Sequence, residues 1–283
     1  DADLAGSTKT ILAKKAVPER FFDMGIAEAD MIGHAAGLAA SGYIPFASSF
    51  SMFCTGRAWE QIRNSVAYPL LNVKIVGTHS GIAVGEDGVS HQAIEDIALM
   101  RAIPGMEVYV PCDGAETKAV IRHVAETKNP CYVRLGRSTV DDVYPADTKF
   151  DFSRIHVLNE GKNIAIFACG LEVQEAMKAL KRLQAEDINP TVIDVCTVKP
   201  LDETGVLEIL KTHERIITAE EHNVTGGLGD AVSAVSVKSM PRMITKIGLQ
   251  DRFAESGPFA ELLKKYHLTE DAIFLAAKKN YRD

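Results

Sequence analysis

The sequence lacks the common phosphate-binding loops: it contains neither GxGxxG after a predicted strand nor GxxxxGK followed by Ser or Thr. It has no CxxC, no HExxH and no Cys/His cluster at zinc-ligand spacing, so no metal site is predicted in this chain. Its apolar stretches are short and interrupted by Gly, Pro or charge, which predicts no transmembrane span. The formal net charge of −7 argues against nonspecific binding to nucleic acid or to an anionic membrane.

Cysteine is scarce and scattered. The five cysteines are odd in number and widely spaced, unlike those of a disulfide framework. We therefore expect reduced thiols that pack as small hydrophobic groups, as in a cytoplasmic protein. They are Cys54, Cys112, Cys131, Cys169 and Cys196.

Strand-like apolar runs alternate with helical stretches along the whole chain, which predicts parallel sheets covered by helices on both faces. In the first half the predicted strands are 43–47, 72–77, 107–110 and 132–135, and the predicted helices are 26–41, 57–67, 92–102 and 114–127. In the second half they are strands 164–168, 191–195, 215–219 and 243–247, and helices 173–185, 203–212, 230–238 and 259–265. The expected fold is α/β with two tandem domains, each a mostly parallel sheet flanked by helices. The predicted limits are 1–145 for the first domain, 146–160 for a polar linker and 161–283 for the second domain.

Glu28 begins a predicted helix rich in Ala and Gly, where an acid also has the simple role of complementing the helix dipole. The run RFFDMGIAE that ends at Glu28 resembles the motif of the pyrimidine-binding domain in transketolases and related thiamin-diphosphate enzymes. The resemblance implies that Glu28 hydrogen-bonds the ring nitrogen of the cofactor's aminopyrimidine and thereby promotes loss of the thiazolium C2 proton. A carboxylate that shares a proton in this way must be poorly solvated, because water stabilises its ionised form.

The segment SSFSMF, residues 48–53, is similar to the aromatic patch on which the aminopyrimidine stacks in this family. Phe50 and Phe53 lie three residues apart and would share one face of a helix, although such a pair is most often part of a core on its pattern alone. Several transketolases have a third aromatic residue where this chain has Gly56. Arg57 matches an arginine of the related deoxyxylulose-phosphate synthases.

The segment from His79 to His91 contains two histidines, two neighbouring acids and several glycines, directly after a predicted buried strand. It resembles the sugar-binding loop of transketolases. The resemblance implies that His91 contacts the donor's oxygens and assists proton transfer, that Asp87 binds a sugar hydroxyl, and that His79 helps hold the terminal phosphate. Metal binding by His79 and His91 is the competing interpretation, but no further ligand cluster accompanies them.

Arg137 follows the last predicted strand of the first domain, where the family has a phosphate-binding arginine. A guanidinium is well suited to this role, because it binds phosphate in bidentate fashion. For Arg134, inside the strand, we expect a structural ion pair instead. Residues 1–7 resemble the family's first loop, which implies that Asp3 lies near the cofactor and Ser7 near the substrate phosphate.

The resemblance covers nearly the whole chain, as the middle and last domains of a three-domain enzyme. The family's first domain carries a GDG motif with a following Asn that binds Mg²⁺ and the cofactor's diphosphate, and this sequence has no such motif. We therefore expect the C-terminal subunit of a split transketolase, with the Mg²⁺ ligands on a separate N-terminal, diphosphate-binding subunit; a fragment of a longer enzyme is the alternative. Segments 220–229 and 254–257 resemble the family's C-terminal domain, in which we expect a structural role for His222.

The predicted reaction is the transfer of a two-carbon ketol unit from a ketose phosphate to an aldose phosphate with thiamin diphosphate. The alternatives are a decarboxylating enzyme, similar to deoxyxylulose-phosphate synthase or to the β subunit of a 2-oxoacid dehydrogenase, and a non-catalytic assembly subunit. Because the family's cofactors lie across subunit interfaces, a homodimer is expected, with sugar phosphates as the small-molecule partners.

Overall fold

The computed structural model describes residues 1–282 and contains two five-stranded sheets. The first half of the chain forms four parallel strands: β1 (Phe46–Phe50), β2 (Lys74–Thr78), β3 (Glu107–Tyr109) and β4 (Cys131–Arg134). The second half forms β5 (His156–Asn159), β6 (Asn163–Ala168), β7 (Thr191–Asp194), β8 (Thr197–Lys199), β9 (His213–Asn223) and β10 (Met243–Leu249).

The first sheet has the strand order β1–β2–β4–β3–β8, in which β8 is antiparallel to its neighbour. The second sheet has the order β10–β9–β6–β7–β5, in which β5 is antiparallel to its neighbour and the other pairs are parallel. Their inner strands, such as β2, β4 and β7, are buried along their whole length, as sheets covered on both faces require. The predicted α/β class with two mostly parallel sheets is confirmed.

Helices connect the strands and cover both sheets. In chain order they are α1 (Ala5–Thr8), α2 (Ile11–Ala16), α3 (Glu28–Ala40), α4 (Trp59–Gln61), α5 (Asp96–Ala102), α6 (Gly114–Glu126), α7 (Leu171–Gln184), α8 (Glu203–Thr212), α9 (Leu228–Ser239), α10 (Phe259–Lys265) and α11 (Glu270–Arg282). Two π-helical segments, Met52–Arg57 and Ile62–Ala67, flank α4. Short 3₁₀-helical segments span Pro18–Arg20 and Ile82–Asp87.

Two short strands differ from the prediction. β5 lies within the segment predicted as a linker, and β8 lies where no strand is predicted. Both are too short to show a period, and each is held by the backbone of a neighbouring strand rather than by its own sequence pattern. The predicted strand 43–47 begins too early, because Tyr43 and Ile44 are exposed and β1 starts at Phe46. The predicted helix 57–67 is divided between α4 and the π-helical segments.

The two halves of the chain share one continuous junction. β8 extends the first sheet by pairing with β3, and the Val110 amide donates to the Cys196 carbonyl at 2.7 Å. Farther along, the Asn223 amide donates to the Ile94 carbonyl at 2.8 Å. Buried apolar side chains from both halves, Val108 and Val198 among them, form one hydrophobic core. Burial of this apolar surface therefore stabilises the two halves as a unit.

Arg134 is buried at this junction and forms the predicted structural ion pair. Its Nε lies 2.8 Å from Asp96 Oδ2, and the Tyr132 hydroxyl donates to the same oxygen at 2.6 Å. Arg134 Nη2 donates to the carbonyl oxygens of Ala93 (3.2 Å) and Glu221 (3.0 Å), so this one guanidinium joins both halves of the chain. Burial alone would lower the pKa of Arg134, but the Asp96 and Glu221 carboxylates hold it above its usual range.

The cysteines conform to the expectation of buried, unpaired thiols. All five are free and buried. Burial raises the pKa of Cys54 to about 12 and that of Cys131 to about 12, which keeps both thiols uncharged at neutral pH. No helix formed by residues 1–282 is both long and apolar enough to cross a membrane.

Arg134→Met should lower the free energy of unfolding by about 3–5 kcal/mol, because it leaves the Asp96 carboxylate buried without its cation. Urea denaturation followed by the fluorescence of the single tryptophan, Trp59, measures the change. The matched control is Lys238→Met, which removes an ion pair to Glu203 whose side chains are 72% and 63% exposed. This exposed pair should contribute little. Similar destabilisation by both substitutions would contradict the role assigned to Arg134.

Candidate active site

The predicted site residues lie at the carboxyl-terminal ends of β1 and β2, the edge at which open α/β sheets bind their ligands. β1 ends at Phe50, and His79 directly follows β2. Glu28 is the first residue of α3 and is 3% exposed. Because α3 packs against β1 and buries Met31 and Ile32 in the core, Glu28 is held at this edge on a rigid element.

Arg57 connects Glu28 with the aromatic patch. Its Nη1 lies 3.2 Å from Glu28 Oε2, and its guanidinium carbon lies 4.2 Å from the centroid of the Phe53 ring. Arg57 is half exposed, whereas Glu28 is buried. One planar cationic group therefore contacts both the carboxylate and the aromatic ring. Arg57 ends a π-helical segment, a distortion found frequently at functional sites.

Two phenylalanines and two histidines form one aromatic cluster beside this pair. The Phe50 and Phe53 rings are stacked, with their centroids 6.1 Å apart and 17° between their planes. The His79 ring stacks on Phe50 at 3.9 Å. The His91 ring packs edge-on against Phe53 at 5.1 Å. The structure thus brings Phe50 and Phe53, two of the residues predicted to bind the cofactor, together with His79 and His91, two of those predicted to bind the substrate.

His79 has a strained backbone conformation and a buried side chain. Its φ of 57° is in the left-handed region, which is uncommon for residues other than glycine, and its Nδ1 lies 3.0 Å from the Thr78 hydroxyl. Burial, and next the positive charge of Arg137, lower the pKa of His79 to about 4. His79 is therefore neutral at pH 7 and can hold a phosphate oxygen through a hydrogen bond but not as a cation.

Arg137 lies beside the acidic end of the predicted sugar-binding loop. Its Nη1 is 3.5 Å from Glu86 Oε2 and 3.9 Å from Asp87 Oδ2, and it also donates to the Val84 carbonyl. All three charged side chains are exposed, so these ion pairs are weak and a phosphate dianion can compete for the guanidinium. The structure therefore brings Arg137 and Asp87 together, as a sugar-phosphate site requires.

The N-terminal segment borders the same edge. The Asp3 amide donates to Asp23 Oδ1 at 3.0 Å, within the motif that leads to Glu28. Ser7 is exposed on α1, which packs beside β1. Lys9, two residues farther, is close enough to His79 to contribute to the lowering of its pKa. Asp3 and Ser7 thus lie on a segment next to the cluster.

One group of candidate metal ligands occurs among residues 1–282, and it belongs to the core rather than to this site. It consists of Cys112, Glu116 and Asp194, all buried. The Cys112 amide donates to Glu116 Oε2 at 2.8 Å, next to the cap of α6, and the Tyr144 hydroxyl donates to Asp194 Oδ2 at 2.7 Å. These carboxylates therefore already accept hydrogen bonds that organise the fold.

Comparisons with known proteins identify the family of the chain. Residues 1–142 match the family model of the transketolase pyrimidine binding domain, and residues 153–273 match that of the transketolase C-terminal domain. A Methanocaldococcus jannaschii protein described as a transketolase C-terminal section is 49% identical over 277 residues, which cover 96% of this chain and 86% of that one. A 6-deoxy-6-sulfo-D-fructose transketolase subunit of Clostridium sp. is 38% identical over 287 residues, with coverage of 100% and 89%. Human transketolase is 36% identical over 282 residues, and these span 45% of its length.

A solved structure of a split-gene transketolase, an inactive β4 tetramer, aligns with a TM-score of 0.92 and 48% sequence identity. The alignment covers 99% of this chain and 90% of that one. The chain belongs to the transketolase family. It is similar to the separately encoded chain of a split transketolase, and it contains the pyrimidine-binding and C-terminal domains of the family.

Two contacts at the site are absent from the sequence prediction. The first is the pairing of Arg57 with Glu28, 29 positions away, for which the sequence has no local signal; the four-residue spacing of Phe53 and Arg57 indicates only the contact between those two side chains. The second contact joins Glu221 of the C-terminal domain to the loop that carries Asp87 and His91, and no local pattern in the sequence indicates it. Both depend on tertiary packing that a motif does not describe.

His79 should remain neutral until the pH falls to about 4, because it is buried and faces Arg137. Phe50→Ala should raise the pKa of His79 toward its ordinary value of about 6.5, since it admits water to the imidazole. Nitrogen-15 NMR titration measures both values, with His79→Gln to assign the resonance. Titration near pH 6.5 in the unmodified protein would contradict the buried position of this ring.

Proposed function

We propose that this chain is the pyrimidine-binding and C-terminal part of a thiamin-diphosphate-dependent transketolase, and that it works with a separate diphosphate-binding subunit. The reaction is the transfer of a two-carbon ketol unit from a ketose phosphate to an aldose phosphate. The observation that carries the proposal is a buried Glu28 that shares the Arg57 guanidinium with the Phe53 ring, beside the pair of histidines. Core packing alone does not require a buried carboxylate at the edge where ligands bind.

The residues present fit the aminopyrimidine of thiamin diphosphate. Glu28 offers a buried oxygen acceptor for a protonated ring nitrogen, and Phe50 and Phe53 offer a ring surface for stacking. Bound there, the cofactor would supply a nucleophilic carbon that holds the two-carbon unit. The sequence lacks the GDG motif with a following Asn by which the family binds Mg²⁺ and the diphosphate, so we expect these ligands on the partner subunit.

Each remaining residue has a proposed role in binding or proton transfer. Glu28 holds a proton at the pyrimidine nitrogen, and its burial keeps water from competing for that hydrogen bond. His91 moves protons to and from the substrate's oxygens, and Asp87 accepts a hydrogen bond from a sugar hydroxyl. The phosphate end would be held by Arg137 as the cation, with neutral His79 and Ser7 as hydrogen-bond donors. Asp3 would border the cofactor.

The relatives support a two-chain enzyme. One of them is a subunit of a transketolase for 6-deoxy-6-sulfo-D-fructose. Another is one of the subunits of an apulose-4-phosphate transketolase from Phocaeicola vulgatus, 35% identical over 272 residues. The sugars in these names differ, and one of them carries a sulfonate rather than a phosphate. For this chain we propose sugar phosphates as the class, because the exposed Arg137 guanidinium can bind a phosphate dianion. A homodimer through the pyrimidine-binding domains and a cytoplasmic location complete the proposal.

Glu28→Gln should lower ketol transfer by the complete complex about 10²–10⁴-fold, because glutamine cannot hold a proton for the pyrimidine nitrogen. Exchange of the cofactor's C2 proton with deuterium, followed by NMR, should slow in parallel. The control is Glu126→Gln, an exposed carboxylate at the other end of the first sheet, which should leave both rates unchanged. Full activity of Glu28→Gln would remove Glu28 from the mechanism.

The substrate class is tested on the same complex with two donors. A ketose phosphate should release its two-carbon unit to an aldose phosphate, whereas pyruvate should yield no carbon dioxide. Decarboxylation of pyruvate without ketol transfer would instead assign the complex to the decarboxylating relatives.

The isolated chain should bind thiamin diphosphate at least about 100-fold more weakly than the complex, since the pyrimidine contacts alone leave the diphosphate without ligands. Isothermal titration calorimetry with Mg²⁺, with and without the partner subunit, measures the difference. Equal affinity in both titrations would show that this chain holds the diphosphate itself.

A further inference from the structure

The segment that carries Asp87 and His91 has little regular structure of its own. Between β2 and α5 it forms one 3₁₀-helical segment, Ile82–Asp87, with a non-helical break at Gly85. Gly81 and Gly88, which flank that segment, both have a φ of 71°, a backbone conformation that favours glycine. A loop of this kind needs contacts from elsewhere to keep one conformation.

Glu221, on strand β9 of the C-terminal domain, supplies such a contact. Its Oε1 accepts a hydrogen bond from the Ala83 amide at 2.6 Å, across 138 positions of sequence. Gly81 lies so close that any Cβ at this position would overlap the Glu221 carboxylate. The carboxylate is 4% exposed and is therefore enclosed by the loop that it holds.

The C-terminal domain also contacts the far end of the loop. A Cβ on Gly88 would overlap the Ser256 hydroxyl, and the Gln92 side-chain amide donates to the Glu255 carbonyl at 3.0 Å. Asp87 and His91 thus lie between two points at which the loop is pressed against the other domain. Of these, Glu221 is the one with a buried, charged group that hydrogen-bonds the loop backbone directly.

Arg134 stabilises Glu221 in this position. It donates to the Glu221 carbonyl at 3.0 Å and to the Ala93 carbonyl at 3.2 Å, so the same guanidinium holds β9 and the end of the loop. Burial raises the pKa of Glu221 to about 7, while the Arg134 charge opposes that shift. Both the neutral and the ionised carboxyl can accept the Ala83 hydrogen bond at neutral pH.

We propose that Glu221 is a positioning residue, which holds the loop from Gly81 to His91 so that Asp87 and His91 face the substrate. The inference rests on the proposed function for its consequence in catalysis, but the contact itself does not. The C-terminal domain then supports one wall of the active site by holding this loop. Loss of the Glu221 carboxyl would let the loop open while Glu28 and the aromatic patch stay in place.

Hydrogen–deuterium exchange of the full-length chain tests the contact without reference to activity. In Glu221→Ala, amides between residues 81 and 91 should exchange at least about tenfold faster, while those of α3 should not change. Glu221→Gln keeps one acceptor oxygen and should restore part of the protection. Glu214→Ala, an exposed glutamate on the same strand, should match the unmodified protein. Unaltered exchange of the loop in Glu221→Ala would overturn the proposal.

Kinetics of the complete complex test the consequence for catalysis. Glu221→Ala should lower kcat about tenfold or more with an increase in KM for the ketose phosphate, while the affinity for thiamin diphosphate changes less than about threefold. Glu221→Gln should have kcat and KM values between those of the unmodified complex and those of Glu221→Ala. If Glu221→Ala does not fold, faster exchange of the loop in Glu221→Gln supports the proposal and unchanged exchange overturns it. Ketol transfer absent from the unmodified complex, with the exchange result intact, would instead refute the proposed function.

Discussion

The buried Arg134 guanidinium is the interaction on which the arrangement of this protein depends. It neutralises Asp96 and donates hydrogen bonds to the backbone carbonyl oxygens of Ala93 and Glu221. It also lies near the Glu221 carboxylate, and all of these groups are buried between the two halves of the chain. Without that cation the carboxylates would remain buried and uncompensated, which costs more than most single contacts contribute. Asp96 belongs to the first half of the chain and Glu221 to the second, so the Arg134 guanidinium links the two halves.

The site has two walls, and they depend on different halves of the chain. The wall proposed to bind the pyrimidine contains Glu28, Phe50 and Phe53, and it is built by a helix start and a strand end of the first half. The wall proposed to bind the substrate is a glycine-rich loop that the second half contacts and supports. The first can therefore be rigid before any ligand arrives, whereas the second needs the junction to be intact. Arg57 stands at the meeting point and already pairs with the carboxylate that the cofactor is proposed to use.

The sequence predicted what local patterns encode. Runs of Val and Ile in β2, β6 and β7 located these strands within a few residues, and the motifs around Glu28 and His91 pointed to residues that the structure brings to one edge of the first sheet. It did not reveal β8, a strand of three residues whose hydrogen bonds come from the other half of the chain. For the same reason the contacts of Arg57 and Glu221 were not predicted, since they join residues 29 and 138 positions apart. Local composition carries no information about such pairs.

The pairing of β8, a strand of the second half, with β3 of the first sheet limits how such a chain can be divided between genes. If the two halves were separated, β3 would keep β4 as a neighbour but would lose β8, which would leave an unpaired sheet edge together with an exposed apolar face. The first sheet is therefore complete only while both halves stay on one chain.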